Sequence, residues 1–294
     1  MRLIKRLDLD EDRWNTCVLN SPAFRHYALT YFLDASSDNW QGLIGENYKW
    51  VWPLPIKRTI VNKVYQPLLA QQLGPFGEDM RKEEFVECLN FIQKKYWGYN
   101  IKFNESVSQS WINDSQQHIN VELDLKDSFQ TMEANFNRNV RSNLKKAESS
   151  NVQISRESFV TKDVISMFQQ GRGSEIRILD DRFYINVESI YNSFAKRNEA
   201  ETWVARIDGE MVAGLMLLNT NERLLNFFTG SDLLSRRTGA MHLLIASIIR
   251  EYCNGKYVLD FEGSNNEKLA YFYKSFGGDE RVYLQAHQKW NLPI

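Results

Sequence analysis

Apolar positions change their spacing along the chain, and each spacing predicts an element. FVECLNFIQ (85–93) and LLIASII (243–249) place apolar residues on one face of a helix. Met132, Phe136, Val140 and Leu144 recur every four residues and predict a helix through this stretch. WQGLIGENYKWVWPLPI (40–56) predicts a hairpin turning at Gly45 to Asn47. TWVARIDGEMVAGLMLL (202–218) predicts another, turning at Asp208-Gly209, a strong two-residue hairpin signal. A further strand follows each: IVNKVYQPL (60–68) and RLLNFFTGS (223–231).

A faint echo links the two halves. KKYWGYNIKFNES (94–106) reads like REYCNGKYVLDFEGS (250–264). Each follows an amphipathic helix, passes an aromatic residue and a Gly, and enters a strand. Each half therefore reads strand, two helices, three antiparallel strands, helix, strand, then more strand. That order predicts an α+β fold with mixed, mostly antiparallel sheets, and excludes a repeating βαβ array. The expected division is a domain at 1–125 and a second at 126–294.

Composition adds limits. The 294 residues are 43% apolar and 25% charged, which is globular and long enough for two modest cores. Basic and acidic residues nearly cancel, 36 against 37, so a protein that mainly coats nucleic acid is not expected. Three cysteines lie far apart and none forms a CxxC, so neither a disulfide framework nor a zinc knuckle is expected. The start, MRLIKRLDLDED, has no apolar signal region, and no apolar run approaches the ~18 residues of a membrane span. These features predict a soluble protein of a reducing cytoplasm.

Against this balanced background FNRNVRSNLKKA (136–147) has four basic residues and no acid. At about 100° per residue, Arg138, Arg141 and Lys145 cluster nearly opposite the apolar stripe. Two readings stand: a solvated basic face, or an anion site in which guanidinium forks take phosphate or carboxylate. The four histidines, His26, His118, His242 and His287, have no metal-ligand spacing, and no nucleotide-binding glycine motif occurs. GRGSEIRILDDRF (171–183) reads as a charged loop.

FNRNVRSNLKKAESSNVQI resembles the entry to the second domain of the FemABX-type family, the peptidoglycan-bridge aminoacyl transferases. LDFEGSNNEKLAYFYKSFGG (259–278) is similar to that family's C-terminal signature, a D-F-x-G-like strand end followed by F-x-K-x-F-G. WVWPLPIKR and YQPLLAQQLGPFG look like its degenerate first domain. The long helical hairpin that some members insert is not in this sequence. The resemblance implies two tandem GNAT (N-acyltransferase) domains, each with a sheet splayed open where the acyl donor enters. It also implies a donor such as aminoacyl-tRNA and an amine acceptor on a cell-envelope precursor; the missing motifs themselves predict no resident cofactor or metal.

Amine acylation needs proximity, loss of an amine proton and a donor to the developing oxyanion. By the resemblance Lys274 lies near the donor ester and would stabilise that oxyanion; the alternative is a snorkelling surface lysine. Tyr273 or Tyr271 would reprotonate a leaving group, or simply pack. Asp260 and Glu262 end a strand and, by alternation, point the same way. One would take the amine proton, or both would cap the turn that Gly263 permits. SRRTGA (235–240) partly matches the R/Q-x-x-G-x-G/A loop of CoA-dependent GNAT enzymes through Arg236, Arg237 and Gly239, with Met241 replacing the last small residue. Three functions stay open: an acyl or aminoacyl transferase acting on an amine, an acetyltransferase using acyl-CoA, or a non-catalytic binding protein.

Overall fold

The computed structural model describes residues 1–78, 80–263 and 265–289. The chain forms two units, residues 1–119 with 282–294, and residues 120–281. In unit 1 the elements are β1 (Arg2–Lys5), α1 (Glu11–Leu19), α2 (Thr30–Ser36), β2 (Trp40–Ile44), β3 (Trp50–Arg58), β4 (Asn62–Val64), β5 (Phe76–Gly77), α3 (Lys82–Lys95) and β6 (Gly98–Lys102). β7 (Gln116–Asp124) leads into unit 2. There follow α4 (Phe129–Asn135), α5 (Arg138–Ser149), β8 (Gln153–Arg156), α6 (Thr161–Gln170), α7 (Asp181–Ala195), β9 (Ala200–Ile207), β10 (Glu210–Thr220), β11 (Arg223–Ser231), α8 (Leu233–Thr238), α9 (Ala240–Tyr252), β12 (Val258–Asp260) and α10 (Glu267–Lys274). β13 (Asp279–Lys289) returns to unit 1.

Unit 1 has the strand order β1-β2-β3-β4-β6-β13, with β5 beside β3. All neighbours are antiparallel except β4 and β6, which meet in parallel at Val64 and Tyr99. The predicted hairpin at Gly45 to Asn47 forms, with Ile44 opposite Val51. The core gathers aromatic side chains: Trp52 stacks on Phe85 at 5.3 Å, and Phe103 meets both edge-on. Each such side chain contributes on the order of 1.5–3 kcal/mol by leaving water. Trp52 stands on β3 and Phe85 on the apolar stripe of α3, while Phe103 follows directly on β6.

Unit 2 has the order β8-β9-β10-β11-β12-β7. Here β11 and β12 form the parallel joint, and the other neighbours are antiparallel. The Asp208-Gly209 turn has positive φ at both residues, 50° and 86°, the tight turn its sequence calls for. α5 and α9 pack together, burying Val140, Leu144 and Ala147 with Leu244, Ile248 and Ile249. The α+β class and the shared order of elements therefore stand.

Three features depart from the sequence reading. The units are not divided by a single cut at 125/126. β13 pairs with β6 in unit 1, and β7 pairs with β12 in unit 2, so each sheet takes its last strand from the other half of the sequence. The single helix expected through Met132–Leu144 is two helices. Phe136 is extended (φ −62°, ψ 135°), which turns its ring onto Phe276 at 5.4 Å. Asn137 then caps α5, accepting from Val140 N–H at 2.9 Å and donating its own N–H to the Ser275 carbonyl. That explains one asparagine in a stretch of poor helix formers. Finally, the segment 171–183 is only partly loop: Arg172–Glu175 form a 3-10 turn, and α7 starts at Asp181 behind an Asp180 cap.

Candidate active site

β11 and β12 share three rungs, Arg223–Val258, Leu224–Leu259 and Leu225–Asp260. β12 then ends, while β11 runs on to Ser231 against β10. The strands part, and the gap is a cavity of about 380 Å³ reached by Asn226, Thr229 and Ser231 of β11. Alternation alone would put Asn226 on the opposite face from Thr229 and Ser231. A bulge prevents this: Met216 faces Phe228 but Leu217 faces Asn226, so β11 holds one extra residue. The extra residue resets the alternation and aims Asn226 into the cavity.

The far wall is α10, which contributes Leu269, Phe272 and Tyr273. Tyr273 is buried, its ring stacked on Phe261 at 4.6 Å. Its hydroxyl oxygen accepts from Asn226 Nδ2 at 3.3 Å. Burial, and then the charge of Glu262, push this phenol up to about 12, so it holds its proton at neutral pH. Asn226 is 5% exposed, and its Oδ1 has no hydrogen-bond partner among the described residues. Arg172 and Arg236 also line the cavity, yet are exposed and have no ion pair among the described residues. The cavity thus has a polar, buried floor, apolar walls including Phe168, and a cationic rim. α6 reaches this wall because glycines let it approach the sheet. A Cβ at Gly230 would lie 2.4 Å from the Val164 carbonyl oxygen, and one at Gly214 2.4 Å from Val164 Cγ2.

The structure distributes the sequence candidates unevenly. Tyr273 and Arg236 line the cavity; Tyr271 is exposed on α10. Lys274 does not reach it: its Nζ bonds Glu280 Oε1 at 2.7 Å on the exposed side of α10. Asp260 and Glu262 do not point together, because the strand stops at Asp260 and Glu262 turns left-handed, φ 53°. Asp260 is fully buried, 2.9 Å from Arg223 Nη1, which also holds Glu122 at 2.9 Å, while Asn120 donates to Asp260 at 2.8 Å. This cluster lies at the foot of the splay and ties β7, β11 and β12 together. Gly263, with φ 60°, permits the turn as expected.

Arg138, Arg141 and Lys145 are exposed on α5, opposite its buried stripe. Arg138 and Lys145 have no ion pair among the described residues, and Arg141 reaches only the Ala134 carbonyl at 3.5 Å. The flank toward α9 carries different groups, Asn143 and His242, whose side chains come to 3.5 Å. Nothing in the spacing of His242 from the other histidines marks it in the sequence. It packs edge-on against Phe272 at 5.0 Å, and burial, then the Lys146 charge, pull it down to about 4. It is therefore a neutral imidazole at pH 7.

The expected phosphate loop at 235–240 is instead the short helix α8, with Arg236 and Arg237 exposed on it. Gly239 separates α8 from α9 with φ 77°, and a Cβ there would lie 2.4 Å from the Asn143 carbonyl oxygen. Packing against α5 and a left-handed turn together require this glycine. A wider cleft of about 720 Å³ in unit 1 borders Cys17 and Tyr48. Burial, then Glu78, hold the Cys17 thiol near 11, so it is no nucleophile at neutral pH. The chemistry therefore points to the unit 2 cavity. Among the described residues no group of three or more His, Cys, Asp or Glu could hold a metal ion, and no helix is long and apolar enough to cross a membrane.

Residues 134–275 match the family described as an acetyltransferase (GNAT) domain. The fold is similar to that of FemX, with a TM-score of 0.69 at 12% identity, covering 97% of this chain and 97% of that one. It is also similar to the C-terminal domain of a protein named as a lysylphosphatidylglycerol synthetase from Agrobacterium fabrum, with a TM-score of 0.60, 13% identity and coverage of 95% and 92%. L-PGS from Bacillus licheniformis gives 0.56, 12%, and 97% and 94%. No curated protein matches the chain in sequence. Residues 134–275 match the model of a GNAT-type acetyltransferase domain, and the chain shares the fold of FemX.

Proposed function

We propose that this protein transfers an acyl or aminoacyl group onto an amine of a cell-envelope or small-molecule acceptor, in the cavity between β11 and β12. The observation that carries the reading is the splayed pair, which opens a site with a buried Tyr273 on its floor inside a GNAT-type domain. The amine nitrogen attacks the donor carbonyl carbon, and the C=O electron pair moves to oxygen. The tetrahedral centre collapses, the bond to the leaving atom breaks, and the nitrogen loses a proton to solvent. Tyr273, held protonated near 12, donates to the departing atom and regains its proton from water. Arg172 and Arg236 hold an anionic part of the donor at the rim.

Tyr273 can serve either donor, protonating the thiolate of acyl-CoA or the ribose oxygen of an aminoacyl ester of tRNA. The likeness in fold to a lysylphosphatidylglycerol synthetase domain favours the ester. The match to an acetyltransferase domain supports the acyl-CoA alternative. In either case the donor is a substrate rather than a resident cofactor. Lys274 would serve only by leaving Glu280, and the α5 strip would act through its field alone.

The test is transfer to a panel of primary amines from acetyl-CoA and, separately, from a mixed aminoacyl-tRNA pool. Turnover with the ester donor, reduced ~10²–10⁴-fold in Tyr273→Phe, is expected. Turnover with acetyl-CoA alone would move the reading to the thioester, and no turnover with any donor would sink it.

A further inference from the structure

Asn226 is an unusual residue to find in a central strand. It sits among apolar neighbours in LLNFF, is 5% exposed, and is placed by a bulge that turns it into the cavity. A buried amide is normally satisfied at both ends, because an unmet polar group costs on the order of 1–3 kcal/mol. Here only the NH₂ end is met, by the Tyr273 hydroxyl oxygen at 3.3 Å. The Oδ1 end has no partner among the described residues. A ligand that completes it must bring a hydrogen-bond donor, since a carbonyl oxygen can only accept.

We propose that Asn226 Oδ1 is the subsite for the attacking amine of the acceptor, fixing one N–H so that the nitrogen lone pair faces a carbonyl held beside Tyr273. This deepens the acyl-transfer reading and rests on it for the word "attacking"; the binding of an amine does not. Two surroundings favour an amine or ammonium over a hydroxyl. After burial itself, the negative charge of Glu262 bears on the Tyr273 phenol more strongly than the positive charge of Arg172. The walls also present the rings of Phe168, Phe272 and Tyr273, whose faces attract a cation. The division of labour follows from one hydrogen bond. Because Asn226 Nδ2 donates to the Tyr273 oxygen, the phenol proton is directed away from Asn226, toward the carbonyl or the leaving atom.

Ligand-observed NMR on the full chain tests this with butylamine, 1-butanol and butyrate as probes. Butylamine should bind at least tenfold more tightly than the other two. Asn226→Leu should weaken butylamine at least tenfold, weaken 1-butanol less and leave butyrate unchanged, whereas Asn226→Asp should tighten butylamine. Equal butylamine affinity in the parent and Asn226→Leu overturns the assignment. Should the Leu variant not fold, Asn226→Asp decides: unchanged or weaker amine binding overturns it. None of this needs a donor. Asn226-dependent amine binding without turnover would therefore refute the transferase reading and keep the subsite. Turnover with a KM for amine unaffected by Asn226→Asp would do the reverse.

Discussion

In unit 1 the parallel joint of β4 and β6 is followed by residues 65–75, which turn back onto β6. Leu73 N–H donates to the Lys102 carbonyl at 2.7 Å, Asn104 N–H donates to the Leu73 carbonyl at 2.6 Å, and Gln66 Oε1 accepts from Lys102 N–H at 3.1 Å. Residues 69–76 are buried throughout. In unit 2 the corresponding joint, β11 with β12, is followed by a strand that continues to Ser231 and leaves the edge beyond Asp260 facing a cavity. The same strand order therefore gives a filled splay in one unit and an open one in the other. A filled splay satisfies its backbone groups and adds a core. An open one leaves Asn226 Oδ1 unmet, and its strands are tied only at the foot, here by the Arg223 cluster. Departures from local consistency of this kind are expected at sites that do chemistry.

The largest effect should come from removing that clamp. Arg223→Met takes the guanidinium from two buried carboxylates, Asp260 and Glu122, and should destabilise the protein by about 3–5 kcal/mol. Urea denaturation measures it. The triple variant Arg223→Met/Asp260→Asn/Glu122→Gln should recover most of the loss, since the charge and not the packing is at issue. A single variant as stable as the parent would mean that the splay is held by something other than this cluster.

How much of the contrast was legible beforehand depends on which physical signal carried it. The hairpin at Asp208-Gly209 and the stripes of α3 and α9 are local, and their periods fixed the elements and the α+β class. Tyr273 could be singled out because it stands in a motif. Asn226 could not, since its orientation depends on a bulge set by pairing between strands, and nothing in RLLNFFTGS marks one. The regular spacing of Met132 to Leu144 concealed a break, because Phe136 packs inward from an extended backbone as well as it would from a helix. Arg138, Arg141 and Lys145 were legible as a basic face, and the structure puts that face in solvent. Lys274 and Glu262 went elsewhere because an ion pair with Glu280 and a left-handed turn are tertiary outcomes.

In each unit a helix lies between the two strands of the parallel joint. In unit 1 the first turn of α3 seats Phe85 on Trp52, while in unit 2 the first turn of α9 carries His242 beside Phe272. His242 titrates at about 4 when folded, against 6.5 for a free imidazole. The unfolded chain therefore binds more protons between these values, and stability falls as pH drops from about 6.5 toward 4. After allowing for its partial exposure, the loss is on the order of 2 kcal/mol. His242→Phe should lack this part of the acid slope, measured as the difference between denaturation curves at pH 7 and pH 4.5. Parallel slopes in the two proteins would remove His242 from the account.

The smallest effect tests the filled side. Gln66 holds the plug at two points, accepting from Lys102 N–H and donating from Nε2 to the Ala70 carbonyl at 2.7 Å. Gln66→Ala leaves a backbone donor and a backbone acceptor unmet in a half-buried setting, worth about 1 kcal/mol. Because the plug belongs to unit 1, the variant should lose that stability in a urea titration and keep the parent's kcat and KM. Hydrogen exchange at Lys102 should rise while exchange along β11 stays as it was. A loss of turnover equal to that of a cavity variant would mean that the filled splay also takes part in the reaction, and the division between a structural unit and a working one would have to be withdrawn.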